Sequence, residues 1–146
     1  MTLASNLVPE GFVRVVGKTR NEVLREMVGV LAHSPHVTNA DALFEAILER
    51  EKLVSTGIGF GIAIPHAKIP EVTQFCLGIG VSRSGVIYPS IDDSPVRILV
   101  MIAGPEGEQG RYLKLLARIQ RFLKNERDRI LAAKDREQVQ ELLAAY

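Results

Sequence analysis

Apolar residues recur along this chain with two different periods, and the switching between them marks out its elements. Residues 12–16 read as a first strand. Thr19-Arg20-Asn21-Glu22 has the form of a capping box, and Val23, Leu24, Met27, Val28 and Leu31 behind it make one apolar stripe of a helix. His33-Ser34-Pro35-His36 reads as a loop. A second helix is expected over about 39–52, with Leu43, Phe44, Ile47 and Leu48 on one side and Arg50 in its last turn. Residues 62–64, 75–81, 86–88 and 96–103 read as strands, separated by Gly, Pro and Asp clusters that supply turns. After a polar loop over 104–110, Leu113, Leu116, Ala117, Gln120 and Leu123 fall on one helical face as far as about residue 124. Asn125 is placed to cap a separate short helix through residue 133. Asp135-Arg136-Glu137-Gln138 offers another capping box, with Val139, Leu142 and Leu143 as the apolar side of a last helix.

Several of these strands are apolar throughout, which implies burial on both faces. Strands enclosed by helices at both ends of the chain argue an α/β sandwich, a mixed β-sheet flanked by α-helices. A chain of 146 residues, 47% hydrophobic and 24% charged, suits one domain spanning 1–146. The net charge of +1, with acids and bases interspersed, indicates neither nucleic acid nor an anionic membrane as a partner. The single Cys76 excludes an internal disulfide framework. No apolar run is long enough for membrane insertion, and Met1-Thr2-Leu3-Ala4-Ser5 lacks the order of a signal peptide, so a cytoplasmic location is expected.

The most informative run is Ser55-Thr56-Gly57-Ile58-Gly59-Phe60-Gly61-Ile62-Ala63-Ile64-Pro65-His66. It sets a histidine at the end of an apolar strand that follows a glycine-rich loop. Gly57, Gly59 and Gly61 can take positive φ and let a ligand approach the backbone, while Pro65 biases Ile64 towards extended geometry. Consecutive amides in such a loop can cradle an anion, and a neutral imidazole can attack phosphorus. From chemistry alone, a histidine at a strand end is more often a surface or hydrogen-bonded structural residue than a nucleophile. Arg50 can grip two phosphate oxygens in a fork, or it is an ordinary cation at a helix C-terminus. Ser55 and Thr56 can donate to phosphate or simply shape the turn.

Read together, STGIGFGIAIPHAK and the preceding FEAILEREK resemble the active-site block of phosphotransferase-system enzyme IIA domains of the mannitol/fructose type, nearest their free-standing nitrogen-regulatory branch. The resemblance implies that His66 accepts a phosphoryl group from a small histidine phosphocarrier (HPr-like) protein and that Arg50 is the active-site arginine. The loop chemistry makes Ser55, Thr56, Gly57 and Gly59 the candidate phosphate contacts, and the resemblance implies a IIB domain or a regulated target downstream; no cofactor and no metal are expected. Two positions depart from the pattern. Phe60 stands where members carry a polar residue, and Tyr112, in Tyr112-Leu113-Lys114-Leu115-Leu116-Ala117, stands where many carry a second histidine. A phenol still donates a hydrogen bond, but it carries no positive charge. These departures motivate an alternative, a regulatory module that binds a target protein and is phosphorylated slowly or not at all.

Two rivals fit poorly. A dinucleotide site needs G-x-G-x-x-G followed by a helix, whereas the spacing here is G-x-G-x-G followed by Pro65 and Pro70. His33 and His36 have no second pair to complete a metal site.

Overall fold

Valine, isoleucine and leucine at alternate strand positions give this sheet two apolar faces, and the helices divide between them. In the computed structural model, which describes residues 3–146, a short 3-10 helix (Leu3–Asn6) leads into β1 (Leu7–Arg14). Met1 and Thr2, which open the stretch read for a signal peptide, lie outside the described residues. Then come α1 (Arg20–Leu31), α2 (Ala40–Leu53), β2 (Gly57–Gly59), β3 (Ile62–Ala63), β4 (His66–Lys68), β5 (Cys76–Val86), β6 (Val96–Gly104), α3 (Gln109–Ala132) and α4 (Arg136–Leu143). The strands form one mixed sheet in the order β1-β5-β6-β3-β2, with β4 also on β6. β1 is parallel to β5, β5 is antiparallel to β6, and β3 and β4 both run parallel to β6. This is the expected α/β sandwich.

Alternation along β6 sends Leu99, Met101 and Ala103 to α1 and α2, where they meet Leu24, Met27 and Ile47. Ile98, Val100 and Ile102 point the other way, to Ile119, Phe122 and Leu123 of α3 and Val139 of α4. On β5, glycine at position 80 lets α1 lie close, since a Cβ there would stand 2.7 Å from the Met27 sulfur. The helix starts follow their caps. Glu22 accepts from the Thr19 amide at 3.1 Å, Asn39 from the Ala42 amide at 3.0 Å, and Asp135 from the Gln138 amide at 2.9 Å. Among the described residues, no helix is long and apolar enough to cross a membrane.

Four boundaries differ from the pattern reading. β1 starts at Leu7 rather than 12, its pairing shifting across a segment in which Glu10 has φ 56. Residues 86–88 are not a separate strand, because β5 runs on to Val86 through an irregular stretch opposite β6. The glycine loop contains a strand of its own, β2, hairpinned onto β3. Most consequential, Asn125 begins no new helix: α3 is continuous, and its buried stripe is Tyr112, Leu115, Ile119, Phe122, Leu123 and Ile130. That face is turned from the one expected, leaving Leu113 55% exposed. The stripe keeps its spacing through residue 125, so packing holds the helix across it. Asn125 is exposed in the helix interior, where Ala is the better residue by roughly 0.5 kcal/mol. Asn125→Ala should therefore leave stability unchanged or slightly raise it in urea unfolding; a loss of about 1 kcal/mol, the typical cost of a deleted cap, would restore the broken helix.

Candidate functional site

Pro65 has no amide hydrogen, so the ladder on β6 is interrupted between β3 and β4. Its carbonyl still accepts from the Ile102 amide at 3.0 Å, which keeps the register. His66 thus opens β4 instead of closing the apolar strand, and strand alternation puts Lys68 on the same side with Ala67 buried between them. The His66 ring turns back, and Nδ1 lies 2.8 Å from the Ile64 carbonyl oxygen. A carbonyl only accepts, so Nδ1 is the donor and Nε2 keeps its lone pair. Burial pulls the His66 pKa below its ordinary value; the Ile64 hydrogen bond opposes this, and the Arg50 charge adds to it. The ring is therefore neutral at neutral pH.

His66 lines an open cleft of about 450 Å³ between the end of α2, β4 and the start of α3, together with Arg50, Lys68 and Tyr112. Arg50 donates from Nη1 to the Val54 carbonyl at 2.7 Å, capping the end of its own helix while leaving four N–H groups. Lys68 sits 4.7 Å from the centre of the Tyr112 ring and donates to Gln109. The Tyr112 ring lies 5.6 Å from the imidazole, tilted by 51°, and stacks on Phe75. Its hydroxyl is buried without a hydrogen-bond partner among the described residues, and burial raises its pKa well above the usual phenol range. A buried hydroxyl left this way costs about 1–3 kcal/mol.

Ser55, Thr56, Gly57 and Gly59 do not line this cleft. Ser55 Oγ donates to the Pro89 carbonyl and accepts from the Gly57 amide at 3.1 Å. Gly57 packs against Pro89 and Ser90 so closely that a Cβ would stand 2.3 Å from the Pro89 oxygen, and Gly59 faces Asp92. Thr56 is buried, its amide donating to Glu51 Oε2 at 3.2 Å and its hydroxyl to Oε1. Tyr88 adds a third donor to Glu51 Oε1 at 2.7 Å, and burial, followed by the Glu51 charge, pushes its phenol pKa far up. Glu51 was not legible as an organising residue, because its partners lie five and 37 positions away. Lys68 was missed as well, although its period-two spacing from His66 marks it for the same face. His33 and His36 serve the loop after α1, bonding the Val30 carbonyl and the Thr73 hydroxyl, and neither lines the cleft.

The sequence pattern of the phosphoenolpyruvate-dependent sugar phosphotransferase system EIIA 2 family matches residues 8–146. The chain belongs to that family. It is similar to the fructose-specific EIIABC component of Bacillus subtilis, 37% identical over 90% of this chain and 21% of that much longer one. It is similar along nearly its whole length to the nitrogen regulatory protein of Bradyrhizobium diazoefficiens, 31% identical over 99% of this chain and 95% of the relative. Among solved structures, nitrogen regulatory protein IIA-Ntr from Neisseria meningitidis superposes with a TM-score of 0.87 at 25% identity, covering 97% of this chain and 98% of that one. This EIIA-type domain is thus of the phosphocarrier and regulatory kind that the resemblance implied.

Two measurements check the geometry around His66 and Glu51. Glu51→Gln keeps the size of the side chain but turns one acceptor into a donor facing Thr56. It should cost about 1–3 kcal/mol in thermal or urea unfolding, and unchanged stability would mean that the three bonds to Glu51 do not form. In an NMR titration, His66 should show a midpoint below the reference value of about 6.5. The sign follows from the neutral form being favoured on folding. The contribution to stability is complete above that reference pH and is lost as pH falls through the lower midpoint of the folded protein. A midpoint above the reference would show that burial does not dominate at His66.

Proposed function

We propose that His66 accepts a phosphoryl group on Nε2 from the phosphohistidine of a small HPr-like carrier, then passes it to a IIB domain or holds it as a regulatory signal. The observation that carries this reading is the hydrogen bond from Nδ1 to Ile64, which leaves Nε2 as a fixed, neutral nucleophile in a cleft with two cations. The Nε2 lone pair attacks phosphorus. As that N–P bond forms, the bond from phosphorus to the donor's imidazole breaks and its electron pair stays with the donor ring. The Ile64 carbonyl stabilises the positive charge growing on the His66 ring. Transfer of this kind asks mainly for in-line placement and for charge opposite the moving oxygens. Arg50 offers its remaining N–H groups, Lys68 a second positive charge, and Tyr112 a hydroxyl with no hydrogen-bond partner among the described residues.

A second reading, a binding module with a slow or silent His66, is favoured by one observation: the tyrosine at 112 adds no charge where family members often have a histidine. One assay separates the two. With a phosphorylated carrier as donor, the protein should gain a single acid-labile, base-stable phosphate, absent in His66→Gln. Arg50→Lys should slow acceptance by on the order of tenfold to thousandfold, as loss of an aimed donor does. Tyr112→Phe should slow transfer by roughly fivefold or more, on the scale of one hydrogen bond, while its unfolding temperature stays the same or rises because an unpaired buried hydroxyl has gone. If the wild-type protein takes no label, the binding-module reading replaces this one.

A further inference from the structure

Phe60 stands at the other end of the sheet from His66. The Gly61 carbonyl meets the amides of Arg97 and Ile98 at the start of β6, whereas His66 pairs with Ile102. At the tip of the β2–β3 hairpin, Phe60 has φ 57 between Gly59 at φ 90 and Gly61 at φ 75. Glycine takes such backbone freely, but a bulky aromatic does so only where the surroundings force it. Nothing inside the fold rewards the ring for being there, since Phe60 is 77% exposed. The surroundings nevertheless hold the tip from both sides. Asp92 Oδ2 accepts from the Phe60 amide at 3.0 Å, and Arg127 Nε donates to the Phe60 carbonyl at 2.8 Å. A single exposed apolar side chain is ordinary, whereas a strained one clamped in place is a feature to be explained by function.

Beside the ring, a groove of about 440 Å³ runs between the hairpin and α3, with Ile58, Ile62 and Leu123 as its walls and Lys124 and Arg127 at its edge. The helix behind it carries seven Lys and Arg against two acids in a chain whose net charge is only +1; Lys124 and Arg127 are the two that line the groove, and Arg127 also pairs with Asp128 at 3.2 Å. One of those acids, Glu126, is buried against Arg129 and Tyr146. We infer that Phe60 and this groove form a docking site for an acidic protein segment that inserts one large apolar side chain beside the ring. Charge complementarity selects the acid, and the apolar walls select a protein over a nucleic acid, whose phosphates would be stripped of water against Ile58 and Leu123. The pre-set tip lowers the ordering cost of binding, as an anchor residue requires. This surface is separate from the His66 cleft and does not depend on phosphoryl transfer.

The full-length protein, isotopically labelled, is titrated with a helical Glu/Leu peptide, with the same peptide carrying Lys for Glu, with a short DNA duplex and with phosphatidylglycerol vesicles. The acidic peptide should shift amides over 58–62 and 120–128, and salt should weaken it. Phe60→Gly and Lys124→Glu should each lower its affinity on the order of tenfold. Because glycine relieves the positive φ, Phe60→Gly should melt at the same or a higher temperature, which separates loss of docking from loss of fold. Four outcomes would overturn the inference: no binding of the acidic peptide, equal binding by Phe60→Gly, equal or tighter binding of the basic peptide, DNA or vesicles at these residues, or a dimer of this chain that Phe60→Gly abolishes.

Discussion

The hydrogen bond from His66 Nδ1 to the Ile64 carbonyl decides which nitrogen of the ring is free to react. It exists because of what the backbone does on either side of Pro65. Ile64 faces away from β6, its amide donating to Thr56 at 3.0 Å; beyond Thr56 the hairpin partner has turned towards α2, and the Ile64 carbonyl is left for the imidazole. Such a bond is worth about 0.5–1.5 kcal/mol net, a bias of roughly two- to thirteenfold between tautomers. That is modest as stability, but it fixes the ring's orientation in the cleft. Placement rather than bond strength is what phosphoryl transfer demands.

The position of the cleft creates an electrostatic problem that the side chains resolve. The C-terminus of α2 points towards it, and the end of a helix carries about half a negative charge, the wrong sign for the phosphoryl group proposed to enter there. Arg50 reverses this, since a full positive charge outweighs the half charge while Nη1 covers the Val54 carbonyl. Lys68 adds a second cation from the strand side. Glu51, one residue along, would undo the gain if its carboxylate faced the same way. It is instead buried towards Thr56 and Tyr88, three donors accounting for its oxygens. Adjacent residues of one helix thus serve opposite purposes, the cation at the cleft and the anion pinning the loop that leads to the hairpin.

How much of this the sequence disclosed depended on whether each feature had a local cause. The capping residues at Thr19 and Asp135, the start of α2 near Asn39 and the apolar stripes of α1 and α2 are local, and they were legible. So was the family, from the run around His66 together with the stretch containing Arg50. β2 was not, because a Gly-Ile-Gly strand has almost no side chains in which to show an alternation. The continuity of α3 was hidden by Asn125, a good capping residue that here simply faces solvent while the buried stripe continues beneath it. Glu51 and the Phe60 clamp were beyond reach for a common reason, since their partners at Tyr88, Asp92 and Arg127 come together only through the sheet.

An unbroken α3 fixes a distance. Tyr112 near its start belongs to the His66 cleft, and Arg127 near its end holds the Phe60 tip. Fifteen residues of helix keep these two about 22 Å apart along one axis. A protein seated at the tip therefore leaves the imidazole open to a second visitor unless it is large enough to overhang that span. A short segment at the tip permits simultaneous occupancy, whereas a folded domain, about 30 Å across, spans that distance and makes the two visitors compete.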